Sequence, residues 1–327
     1  MGRWVLCLAA AGAAGCFNGL VIKPVNTSAP LEAHVVQEAE GWTANKVAII
    51  DVHGLLANTR SSGLFGDGEN PVSLFREKLD KAAADDTVKA VVLRINSPGG
   101  GVTASDIMHA ELLAFRAKTH KPVVACLMDV AASGGYYLAT ACDAIHAHPT
   151  TVTGSIGVIM SLYNAEGLCA KLGIESDPIK SGPNKDLANP ARRLTAEERA
   201  LLQAMVNHFH DRFVAVIVEG RGLPEEHVRA LADGRIYSAQ EAKELKLIDE
   251  VGYLRDAITH AKTLAGIRDA KVIAYERDPG GNGTIYAGLP RVPSEITVRL
   301  DVPGLDALGL NQPPGAVFLY LWQPGVK

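Results

Sequence analysis

Two rhythms of apolar and polar positions alternate along most of this chain. Lys46-Val-Ala-Ile-Ile-Asp-Val52 is a β-branched run and predicts a first strand. Residues 71–84 instead place Val72, Phe75, Leu79 and Ala82 at helical spacing and stop before Asp85-Asp86. Residues 88–95 predict a second strand, 104–117 a helix, and 123–127 a third strand followed by an apolar helical run over 136–142. Short strands are expected at 144–146 and 150–153, with Pro149 breaking between them. Strands that alternate with helices predict an α/β domain with mostly parallel pairing.

The second half continues the pattern. A helix-like apolar stretch runs to Leu172, and Thr195 with Glu198 three residues on forms a capping-box pattern for a helix that passes Phe213. Residues 224–231 predict a short helix, 233–249 a turn, strand, helix and strand, 254–265 a helix and 271–275 a strand. Residues 58–70, rich in Gly, Ser, Asp and Asn, predict an exposed loop. From 278 to 312 glycine and proline rise and periodicity fades, which reads as a peripheral arm, and 317–322 closes it with one apolar strand. No internal repeat and no clean second domain is visible.

The N-terminus carries a different signal. Met1-Gly-Arg3 is a minimal positive start, residues 4–14 are apolar or small, and Ala13-Ala-Gly-Cys16 follows. That is the pattern of a secretory signal, and a cysteine directly after small residues resembles a bacterial lipoprotein box in which Cys16 is lipidated. The rival reading is an uncleaved anchor, since residues 4–22 hold only Asn18 as a strongly polar break and about 20 apolar residues span a bilayer. Both place the body outside the cytoplasm at a membrane, with residues 23–44 as a tether.

Composition narrows the function classes. At 327 residues with 47% apolar and 21% charged, the chain has ample material for a core. A net charge of −4 and the lack of a basic, aromatic-studded stripe give no case for nucleic acid as a partner. The five cysteines, Cys7, Cys16, Cys126, Cys142 and Cys169, form no C-x-x-C pair, which excludes zinc held by paired cysteines and argues against a disulfide framework. The reading calls for no cofactor and no metal.

Candidate chemistry centres on Asp129-Val-Ala-Ala-Ser-Gly-Gly-Tyr-Tyr-Leu-Ala-Thr140. Ser133 lies where a strand gives way to a helix, among unpaired N–H groups at the positive end of a helix dipole. A nucleophile whose attack creates an oxyanion suits that place; the plain alternative is a serine that only caps the helix. Ser97-Pro-Gly-Gly-Gly101 lies between another strand and helix, and its glycines could aim N–H groups at one point. Neither G-x-x-x-x-G-K-[ST] nor G-x-G-x-x-G occurs, so an oxyanion hole from Gly99 or Gly100 with Gly134 fits better than a phosphate cradle. None of the ten histidines occupies a comparable turn; His146, His148, His208 and His210 read as solvated or structural. A lysine serves as a general base if burial lowers its pKa, and Lys180 and Lys185 both lie in a Gly-, Pro- and Asn-rich loop.

Four segments then match one family in order: Asn96-Ser-Pro-Gly-Gly-Gly101, Ala132-Ser-Gly-Gly-Tyr-Tyr137, Thr153-Gly-Ser-Ile-Gly-Val158 and Lys180-Ser-Gly-Pro-Asn-Lys-Asp186. Over residues 45–265 the chain resembles the signal peptide peptidase A family, serine–lysine peptidases of the S49 class with the ClpP/crotonase fold. The segment from Asp233-Gly-Arg-Ile-Tyr-Ser to Leu247-Ile-Asp-Glu250 also resembles the family's closing part. The resemblance implies Ser133 as nucleophile, Lys185 as general base with Lys180 second, Ser155 as the hydroxyl that positions the base, and Gly100 and Gly134 as oxyanion donors with Gly99 an alternate. It implies a short, single-domain form that completes its clefts in a homo-oligomeric ring, and membrane-borne apolar peptides such as leftover signal peptides as substrates. The peptidase domain is read as 45–265, with 266–327 as a C-terminal strand and peripheral arm; the arm from 278 to 327 and the loop 61–70 carry no match. Two rivals remain: a membrane-anchored scaffold using the fold without catalysis, and an acyl-CoA enzyme of the same fold.

Overall fold

The computed structural model describes residues 29–60, 62–63, 66–277, 284–286 and 319–322. The signal or anchor expected over residues 1–22, the lipidation candidate Cys16 and most of the 278–312 arm lie outside them. Among the described residues no helix is long and apolar enough to cross a membrane.

The strands are β1 (Glu32–Gln37), β2 (Lys46–Leu56), a small hairpin β3 (Ser62–Gly63) and β4 (Gly66–Asp67), β5 (Val88–Gly101), β6 (Val123–Ala132), β7 (Ala144–Ala147), β8 (Val152–Gly154), β9 (Ile236–Ser238), β10 (Glu250–Val251), β11 (Lys271–Glu276) and β12 (Leu319–Leu321). The helices are α1 (Pro71–Ala84), α2 (Val102–Thr119), α3 (Gly134–Ala139), α4 (Glu166–Leu172), α5 (Ala196–Arg221), α6 (Glu225–Leu231), α7 (Ala239–Glu244) and α8 (Leu254–Leu264). The main sheet runs β1-β11-β2-β5-β6-β7-β10, parallel from β11 to β10, with β1 antiparallel at its edge. This is the α/β architecture with a mostly parallel sheet that the element pattern predicts.

The apolar runs exist because both faces of the sheet are covered. Alternate side chains serve two cores. Ala48, Ile50, Val91, Leu93, Val123 and Ala125 face the larger one, while Val47, Ile49, Ala90, Val92, Val124 and Cys126 face a smaller one closed by α8. Cutting Leu93 to alanine in so full a core costs about 2–5 kcal/mol. Cys126, Cys142 and Cys169 are free.

Two boundaries differ from expectation. Residues 32–37 fall in the segment read as a tether, yet they form β1, paired with β11 from Glu32↔Glu276 to Gln37↔Val272. Only Val36 of that strand is buried, so an edge strand exposed on its outer side carries almost no apolar signature. β11 in turn lies between β1 and β2 inside the sheet, so the body extends to residue 276 and does not stop at 265.

Candidate active site

β5 outlasts its apolar stretch. Past Ile95 it stays extended through Asn96-Ser-Pro-Gly-Gly-Gly101, because β2 continues beside it, with Leu55 opposite Gly99 and Leu56 opposite Gly100. The pairing of β5 with β6 ends at Ser97↔Ala131, and β6 then turns away into Ser133 and α3. The glycine strand and the serine turn are thus left side by side at the carboxyl ends of two central strands, where open α/β sheets place their ligands.

Ser133 departs from helix-capping geometry. Its φ of 52° and ψ of −116° are strained for a residue with a Cβ, and its side chain makes no cap hydrogen bond. The Oγ is buried and has no hydrogen-bond partner. A buried hydroxyl left unpaired costs about 1–3 kcal/mol, so strain and desolvation are both concentrated on this one residue. The backbone is held nonetheless: the Ser133 N–H donates to the Gly154 carbonyl at 2.7 Å, and its carbonyl accepts from Tyr137 N–H at 2.8 Å.

The glycines around it are there for close approach. A Cβ on Gly100 would lie 2.0 Å from the Leu56 carbonyl oxygen, and one on Gly134 would lie 2.4 Å from Ser105 Oγ and 3.2 Å from Gly100 N. Gly134 N and the Gly99–Gly100 backbone therefore crowd one spot beside Ser133. The Gly99 N–H donates to Ser97 Oγ at 3.1 Å, which leaves Gly100 and Gly134 as the neighbouring pair of donors. Ser97 is itself pinned, donating to the Gly54 carbonyl at 2.6 Å.

Ser155 follows directly on the residue whose carbonyl holds Ser133. It is buried, adopts φ 50°, and donates its N–H to the Arg235 carbonyl at 2.7 Å. The lysines are elsewhere. Lys185 is exposed on a single 3₁₀ turn, Pro183–Asp186, and the single chain does not bring it within hydrogen-bond distance of Ser133. Lys180 donates to Asp186 at 2.6 Å, and Arg192 bridges Asp186 at 2.9 Å and Glu198 at 2.8 Å. Hydrogen bonds from Arg192 and Lys180 hold the Asp186 carboxyl well below the usual carboxylate range. Lys180 is thus tied into an ion pair with Asp186.

Two of the four histidines named above have hydrogen-bond partners. His146 Nε2 and His260 Nδ1 stand 2.8 Å apart, and His210 Nε2 is 2.8 Å from the Ala232 carbonyl. Two features of the cleft escaped the sequence reading. β12, expected as the end of a peripheral arm, lies antiparallel against the glycine strand, with Leu319 opposite Gly101, Tyr320 opposite Gly100 and Leu321 opposite Gly99. Ile159 borders its other side. The apolar run of 317–322 announced a strand, but nothing local could name its partner.

The sequence profile of peptidase family S49 matches residues 115–268, which span α3, Ser155 and the lysine loop. An Enterococcus faecium protein that carries the provisional name signal peptide peptidase SppA is 39% identical over 249 residues, 76% of this chain and 72% of that protein. The chain belongs to peptidase family S49. Salmonella typhi protease 4 is 32% identical over 273 residues, 81% of this chain and 43% of the relative. The chloroplastic serine protease SPPA of Arabidopsis thaliana is 38% identical over 192 residues, 58% of this chain and 28% of the relative. This S49 chain is accordingly a serine peptidase, and its ClpP-like sheet is the fold of its family.

Proposed function

We propose that this S49 peptidase is a membrane-associated endopeptidase with Ser133 as nucleophile and Lys185 as general base, acting on residual signal peptides and other apolar membrane-borne peptides. The observation that carries the proposal is the strained, buried and unpartnered Ser133 hydroxyl beside the N–H groups of Gly100 and Gly134. Neutral Lys185 takes the proton of Ser133 as Oγ bonds to the peptide carbonyl carbon, and the Gly100 and Gly134 N–H groups receive the oxyanion. Collapse breaks the C–N bond, the proton passes from Lys185 to the leaving amine, and an ester on Ser133 remains. Water then attacks the ester; Lys185 accepts its proton and returns one to Oγ. The Ser155 hydroxyl positions the amine without adding charge.

A lysine that must be neutral needs a dry surrounding. Lys185 is exposed in the single chain, and the neighbouring segment displays Leu172, Ile174 and Ile179 to solvent. Both features fit a ring in which an adjoining protomer covers this arm and receives its lysine. Residues 1–22 then hold the ring at the extracytoplasmic face of a bacterial membrane, through lipidated Cys16 or as an anchor, and peptide remnants in that membrane are its substrates.

The test is hydrolysis of an apolar fluorogenic peptide by the full chain in detergent, beside Ser133→Ala, Lys185→Ala and Lys180→Ala. Activity lost in the first two and largely kept in the third is the expected result. A wild type as silent as Ser133→Ala on several peptides, with the ring assembled, would instead favour the scaffold.

A further inference from the structure

β6 changes course before it reaches Ser133. Up to Leu127 the strand lies between β5 and β7, with Ile95 and Ala147 opposite that residue. Beyond it, β5 takes two steps, from Ile95 to Ser97, where β6 takes four, from Leu127 to Ala131. On its other side β6 leaves β7 and pairs with β8, from Val130↔Val152 to Ala132↔Gly154. Met128, Asp129 and Val130 therefore form a bulge at which the strand bends. A bulge re-aims the residues beyond it, and the residue aimed here is Ser133.

Side chains on both flanks hold the bend. From β5, Asn96 Oδ1 accepts from the Val130 N–H at 3.1 Å, and Asn96 Nδ2 donates to Asp129 Oδ2 at 3.0 Å. From the turn before β8, the buried Thr151 hydroxyl lies 2.5 Å from the Met128 carbonyl oxygen and 3.0 Å from that of Leu127. A hydroxyl brings one proton, so Thr151 shares it between these two acceptors. Thr153 Oγ1 donates to the Ala131 carbonyl at 2.6 Å. Little slack follows the bend. A Cβ on Gly135 would stand 2.8 Å from the Ser97 carbonyl oxygen, and one on Gly134 would stand 3.2 Å from Gly100 N. A shift at Met128–Val130 is therefore passed on to the spacing between Ser133 and the glycine N–H groups.

We propose that Asn96 and Thr151 are positioning residues for the peptidase reaction: from the two flanks of β6 they set the bend that places Ser133 Oγ beside the Gly100 and Gly134 donors. They act through Ser133, and the proposal rests on the peptidase reading above. Such residues govern the rate of bond-making at Oγ more than the binding of peptide, and a displacement of about 1 Å at the reacting atom costs on the order of a hundredfold. Asn96→Leu is close in size and removes both Asn96 hydrogen bonds. Thr151→Val keeps the branched shape and removes the hydroxyl, while Thr151→Ser keeps the hydroxyl.

The experiment uses the full chain in detergent. It reads kcat and KM on an apolar fluorogenic peptide, and the rate constant and final extent of Ser133 labelling by a serine-directed phosphonate. Asn96→Leu and Thr151→Val are each expected to lower kcat and the labelling rate constant by about ten- to a hundredfold, with KM little changed and labelling still going to completion. Thr151→Ser is expected to keep most of the wild-type rate. A purely structural role reads differently: part of the protein never labels, and the rest labels at the wild-type rate. That result, or wild-type kcat in Asn96→Leu and Thr151→Val, would overturn the positioning role and leave the peptidase reading intact. Thr151→Ser as slow as Thr151→Val would remove the hydroxyl from the assignment. A wild type that neither cleaves peptide nor takes the label would overturn both readings.

Discussion

The Ser133 region and the Lys185 region are built on opposite principles. Ser133 stands at the end of a central strand, with Gly100, Gly134 and Gly154 packed so closely around it that Cβ atoms would collide. Its strain is borne by two covered cores. Lys185 stands on a segment with no core. Helix α4 buries none of its residues, most of the first half of α5 is exposed, and the lysine loop is tied by the charges of Lys180, Asp186, Arg192 and Glu198. One half of the candidate dyad is finished by folding. The other presents apolar side chains outward, a surface that calls for a partner.

The sharpest way to break that comparison is to put the two halves on different chains. Ser133→Ala and Lys185→Ala are each expected to lower kcat/KM by about 10⁴-fold or more, since groups that act as a unit fail together. If the lysine is delivered by a neighbour, co-assembling the two dead variants in equal amounts restores about a quarter of wild-type activity, because some interfaces pair an intact serine with an intact lysine. A mixture as inactive as its components would place both groups on one chain.

A pair of glycine substitutions probes the packing on each side. Gly100→Ala drives a Cβ to 2.0 Å from the Leu56 carbonyl, where backbone must move, and is expected to cost about 1–3 kcal/mol and nearly all activity. Gly167 lies in α4 with nothing within 4 Å of an added Cβ, so Gly167→Ala should be neutral or stabilising by up to about 1 kcal/mol. Thermal melts of both variants give the answer. Similar losses in the two would mean that the arm is as tightly packed as the cleft.

The same contrast explains what could be read from the sequence. Strands buried on both faces announce themselves, and 46–52, 88–95 and 123–127 were legible because Val, Ile, Leu and Ala fill both cores there. The glycine and serine motifs were legible because close approach and strain permit few residue types. β1 was not, since only Val36 of its six residues is buried. β5 was cut short because Asn-Ser-Pro-Gly reads locally as a turn, whereas pairing with β2 and β12 keeps it extended. The place of β12 was illegible in principle: over 200 residues separate it from Gly99–Gly101, and register between such segments is a property of the folded chain.

Polar substitutions on the arm test its outward face. Leu172→Ser, Ile174→Ser and Ile179→Ser together remove apolar area that is mostly exposed in the single chain, so the melting temperature of the isolated chain should hardly move. Sedimentation is expected to show a smaller assembly, with activity falling in step. A dissociated protein that kept full activity would break the link between arm and cleft.

The smallest expected effect is acid loosening of the lysine loop. Contact with Arg192 and the Thr195 N–H lowers the Glu198 carboxyl to about 2, and Asp186 is likewise held well below its ordinary value. For a carboxyl depressed in the folded state, the contribution is complete above the ordinary carboxylate range near about 4 and fades as pH falls through the folded pKa. Hydrogen exchange over residues 180–198, corrected for intrinsic rate, should therefore be slower at pH 5 than at acid pH, while residues around Ser133 change less. Arg192→Gln should remove most of that difference, because it withdraws the cation from both carboxylates. If the wild-type loop exchanged equally at both pH values, charge would not be what orders it, and the contrast with the packed serine side would need another cause.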